Sequence, residues 1–74
     1  MNDIIDDMKV KINNETQKAR SHIERAIEQN GPYSHNMISI TLAFLADKCG
    51  KKYANELVDE FDLKELYGIE RETE

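Results

Sequence analysis

The apolar positions of this chain fall into helical patterns punctuated by glycines. Ile5, Met8, Ile12, Thr16, Ala19, Ile23 and Ile27 follow one another at steps of 3, 4, 4, 3, 4 and 4. That is an eleven-residue period of ~3.67 residues per turn, which predicts a long, nearly straight helix over residues 3–29. A strict heptad would instead place Glu15 and His22 in the seam, so a left-handed coiled coil is not the expectation. Asp3 is positioned to cap this helix, with Asp6 and Asp7 at the positive end of its dipole. Asp7/Lys11 and Glu15/Lys18 stand at i,i+4 and i,i+3, spacings that each add about 0.2–0.5 kcal/mol on a helix surface.

Asn30-Gly31-Pro32 ends the pattern. Gly31 is expected to take the left-handed position after the helix, and Pro32 cannot continue the helical hydrogen bonding. A second helix, residues 35–49, then starts with Ser34 as N-cap and Tyr33 packed on Ile38 as a hydrophobic staple. Gly50 is its natural stop. Within it, eight of the ten residues from 37 to 46 are apolar, so the apolar arc spans about 200°, against the ~100° stripe of an ordinary surface helix. Tyr53, Ala54, Leu57, Val58 and Phe61 then describe a third helix, residues 51–61, with a single buried face. Asp62 can cap one more turn, residues 62–67, closed by Gly68, with Ile69 tucked back and residues 70–74 a frayed, charged tail.

These lengths predict an all-α fold. The first helix spans roughly 40 Å and the next two together roughly 39 Å. The expected arrangement is a helical hairpin, with helix 1 antiparallel to helices 2 and 3 and a break at Gly50. Such a hairpin leaves one side of helix 2 open to water, and pairing two copies into a four-helix-type bundle would close it through Met37, Ile40 and Phe44. The alternative is a compact form in which helix 3 folds back over helix 2.

Chain size sharpens the case for a partner. Seventy-four residues make one small domain, which buries only about 60% of its extended-chain surface. The single Cys49 forms no internal bridge, and no Cys/His spacing suits zinc. Oligomerisation is the remaining stabilising device. The first residues lack the basic flank and apolar run of a signal peptide, and no run is long enough to cross a bilayer, which gives a cytoplasmic expectation without membrane contact. Fifteen acids against ten bases give a net charge of −5, which disfavours phosphate backbones. The excess is concentrated late, where residues 51–74 carry eight acids against Lys51, Lys52, Lys64 and Arg71.

Candidate chemistry is sparse. Tyr33, Ser34, His35 and Asn36 gather hydrogen-bonding groups at a helix start, where free N–H groups can hold an anion or a carbonyl, although each also has a capping role. Glu56, Asp59 and Glu60 form an acidic face on the third helix, but the spacing of a calcium loop is absent because the sixth position from Asp59 is Lys64. His22, His35 and Cys49 are too far apart along the helices to share a metal. Neither a cofactor nor a catalytic group is expected. Leu45-Ala46 followed by Gly50 resembles the turn of a helix-turn-helix, yet its recognition helix would carry Glu56, Asp59 and Glu60 beside Lys51 and Lys52. The reading is therefore a helical protein-binding adaptor, regulator or inhibitor, homodimeric and non-enzymatic, of a kind common among phage and mobile-element accessory proteins. A nucleic-acid-binding regulator and an acidic mimic of DNA are the alternatives.

Overall fold

A computed structural model of the chain describes the backbone of residues 3–73 and the side chains of residues 7–73. Four helices follow in order: α1 (Asp3–Gln29), α2 (Ser34–Cys49), α3 (Lys51–Glu60) and α4 (Leu63–Tyr67). The capping role expected of Asp3, the seam role of Ile5 and the dipole role of Asp6 lie outside the described side chains, as does Glu74.

The helix boundaries follow the sequence pattern, but three caps are built differently. Asn30, not Gly31, takes the left-handed position after α1, with φ 44°. Asparagine tolerates that conformation better than most residues, and its N–H still bonds Ala26 O at 3.0 Å. Tyr33, not Ser34, is the N-cap of α2: the Met37 N–H bonds Tyr33 O at 2.9 Å. Tyr33 is also 72% exposed, so it does not staple Ile38. The buried Ser34 hydroxyl instead donates to Ala26 O at 2.8 Å and accepts the Gly31 N–H at 2.9 Å, tying the end of α1 to the start of α2. Asp62 precedes α4 in a left-handed conformation, φ 52° and ψ 43°, without any side-chain cap bond.

Gly50 reverses the chain. Its φ of 116° and ψ of 154° lie in a region open essentially to glycine alone, and α3 leaves it folded back on α2. Two contacts fix the direction: Glu60, at the end of α3, meets Arg20 in the middle of α1, and Tyr67 in α4 meets His35 at the start of α2. The collinear return limb of the expected hairpin is thus replaced by the folded-back form. Its physical reason is burial. Folding back packs Ala54, Leu57 and Val58 of α3 and Leu63 of α4 into one cluster with Ala19, Ile23 and Ala26 of α1 and Ile38, Leu42 and Leu45 of α2. Each fully buried Leu or Ile contributes about 1.5–3 kcal/mol relative to exposure.

Ile69 tucks back as expected, its N–H bonding Leu63 O at 3.2 Å. Residues 70–73 differ from expectation, because they are not frayed. Ile69 packs against the core, and the segment runs back between α2 and α3 as far as Asn55 and Lys51. At the other extreme α1 outreaches the bundle: its first buried described side chain is Ala19, while Met8 is 58% exposed, and the molecule is 47 Å long. The predicted seam of α1 therefore serves the core only from about its midpoint. Among the described residues there is no strand, and no helix is long and apolar enough to cross a membrane.

Candidate functional site

The folded-back bundle divides the wide apolar arc of α2 into three sectors. Ile38, Leu42 and Leu45 enter the core. Ser39 and Ala43 line a cleft shared with Ile69, Glu70 and Glu72. Met37, Ile40 and Phe44 remain outside, at 44%, 61% and 56% exposure. Their i, i+3, i+7 spacing puts them on one stripe of the helix. They face an open groove whose other wall is α1, carrying Lys18, His22 and Arg25, and whose floor is Ala19, Thr41 and Leu45. Lys18 is held 3.7 Å from Glu15, the i,i+3 pair anticipated from the sequence. At the far end the Lys48 ammonium sits 5.0 Å from the centroid of the Phe44 ring, a cation–π contact that fixes the ring without covering it.

The residues of the 33–36 turn are dispersed rather than convergent. Ser34 points inward to Ala26 O, Tyr33 and Asn36 face solvent, and His35 meets Tyr67 edge-on with ring centroids 6.5 Å apart. The hydroxyl that could have bound an anion is already engaged within the fold.

The acidic residues of α3 are also divided. Glu60 accepts two hydrogen bonds from the Arg20 guanidinium, at 2.8 and 2.9 Å. That pairing holds its carboxyl below the ordinary value despite some desolvation, and holds the Arg20 guanidinium above its own. Asp59, on the other flank, accepts a 2.6 Å bond from Arg71. Glu56 faces the shallow gap between α1 and α3, beside Tyr53 and Lys9. The acidic face is thus spent mostly on internal pairing.

Lys51 reaches Thr73 O at 3.3 Å, so one of the two lysines after the Gly50 turn is engaged within the fold. Cys49 is a free, half-buried thiol packed on the core. Among the described residues no three His, Cys, Asp or Glu side chains converge as a metal site would require.

One residue that the sequence reading passed over is Asn55. It is 2% exposed and uses both amide atoms on the backbone of Glu72. Its only sequence signal is an amide on the flank of an otherwise apolar helix face. No known family model, curated protein or solved structure matches the chain.

Proposed function

We propose that this chain is a non-catalytic helical interaction module, an adaptor, regulator or inhibitor, whose docking face is the Met37, Ile40 and Phe44 stripe of α2 with the adjoining wall of α1. A second copy of the chain is the expected occupant, giving a homodimer. The observation that carries the reading is the exposure of these three side chains. Scattered apolar residues on a surface are ordinary, whereas three large ones on a single stripe along an open groove mark a contact site.

Sedimentation equilibrium at micromolar concentration tests it. A mass above the 8.6 kDa monomer is expected. Phe44→Asp should return the mass to the monomer with the helical circular dichroism unchanged, because Phe44 is more than half exposed within one copy and its replacement leaves the core intact. A monomeric parent chain would remove the homodimer. Association undisturbed by Phe44→Asp would remove this face as the docking site.

A further inference from the structure

Residues 69–73 lie in the groove between α2 and α3 as a bound peptide would. Ile69 packs against the core and lines one cleft with Leu42, Ala43 and Ala54. Arg71 donates to Asp59 Oδ2 at 2.6 Å. Asn55 then reads the backbone of Glu72 at two points: its Nδ2–H donates to Glu72 O and its Oδ1 accepts the Glu72 N–H, both at 2.8 Å. The side chains of Glu70 and Glu72 contribute little to this fit. Glu70 instead makes an exposed 3.7 Å pair with Lys64, and Glu72 is exposed. The groove therefore specifies an apolar residue, a basic residue two positions later, and a free backbone N–H and C=O at the position after that.

Two features separate this segment from the helices. It lies outside regular secondary structure, and its Arg71–Asp59 and Glu70–Lys64 pairs are exposed, a weak class of interaction in water. Gly68, left-handed at φ 72°, joins it to α4. The groove, by contrast, presents a fixed donor and acceptor side by side: the Asn55 amide matches any backbone that offers a carbonyl and an N–H at that point.

We propose that the α2–α3 groove is a binding site for an extended peptide segment of another protein, with the pattern apolar–any–basic–any, and that residues 69–73 occupy it in cis as a competing strap. Asn55 supplies the sequence-independent backbone reading. The Leu42/Ala43/Ala54 surface and Asp59 supply the selectivity.

The probe is a fluorescent synthetic peptide, Gly-Ile-Glu-Arg-Glu-Thr-Glu, identical to residues 68–74. It is titrated into the full chain and into an Ile69→Ser/Arg71→Ser variant whose own strap is weakened. The variant should bind at least tenfold more tightly than the parent, and adding Asn55→Leu should abolish that binding while the circular dichroism stays helical. Equal affinity for parent and variant, or binding to neither, overturns the proposal. So does equal binding of a peptide carrying Ser in place of Ile. Amide exchange in the unmodified chain provides a test independent of the variants: the Glu72 N–H should exchange much faster than that of Leu57. If the two exchange at the same rate, the strap opens only when the whole bundle unfolds and cannot yield its place to a competitor.

Discussion

Gly50, Asn30 and Ser34 set the turns of this chain by different physical means. Gly50 works through backbone freedom alone. A Cβ built there would meet nothing closer than the Tyr53 ring at 4.0 Å, so the obstacle to any other residue is the φ of 116° itself. Gly50→Ala should destabilise the fold by about 1–3 kcal/mol, read as a fall in Tm of several degrees; an unchanged or raised Tm would mean that the chain tolerates another turn there. The need for glycine was legible in the sequence because a glycine between two apolar periodicities has few other uses. The role of Ser34 was not. Its hydroxyl meets Ala26 O, eight residues earlier and on another helix, and a local capping rule cannot anticipate a partner delivered by tertiary packing. Asn30 takes the left-handed position in place of its glycine neighbour because it directly follows Gln29, the last residue of α1, and asparagine tolerates that conformation.

Among the elements, α3 and α1 are joined by an ion pair as well as by the shared core. Arg20 and Glu60 meet through two parallel hydrogen bonds across the two helices, the strongest geometry for such a pair. Both side chains remain partly exposed, at 29% and 42%, so solvent screening limits the pair to about 1 kcal/mol or less. The carboxyl of Glu60 is lowered from its ordinary 4.5, so the stabilisation is present above 4.5 and is lost as pH falls below it through the lowered folded-state value. Glu60→Gln should therefore be modestly less stable than the parent near neutral pH. The difference should shrink once Glu60 is protonated in the parent; a difference that persists in acid would show that the ion pair is not its source. The direction of α3 was beyond the sequence pattern. Tyr53, Ala54, Leu57, Val58 and Phe61 mark a buried face whether the helix continues along α1 or folds back on α2. Periodicity reports which side is covered and not what covers it. Residues 70–73 were misread for a related reason, since a polar composition describes their side chains while the attachment of Glu72 to Asn55 is through backbone atoms.

At the scale of the molecule, charge argues against the helix-turn-helix alternative. Lys52 remains exposed on α3, but Lys51 reaches the strap, and Glu56, Asp59 and Glu60 share the same ten-residue helix. A random-sequence duplex should show no gel retardation at about 50 mM salt and about 10 μM protein, a concentration within the ~10⁻⁴–10⁻⁶ M range of non-specific binding. Salt-sensitive retardation abolished by Lys51→Glu would displace the protein-binding reading. The overhang of α1 has a different consequence. Residues 7–11 are all exposed, so these turns gain almost nothing from packing and depend on hydrogen bonds along their own helix. The bundle supplies them with a permanent nucleus, which removes the unfavourable first step of helix formation and leaves only propagation, residue by residue. Two kinds of melting therefore coexist in one polypeptide: the packed half of α1 is lost with the core in a single cooperative step, while its outer turns shorten gradually with temperature, as a zipper opens from one end.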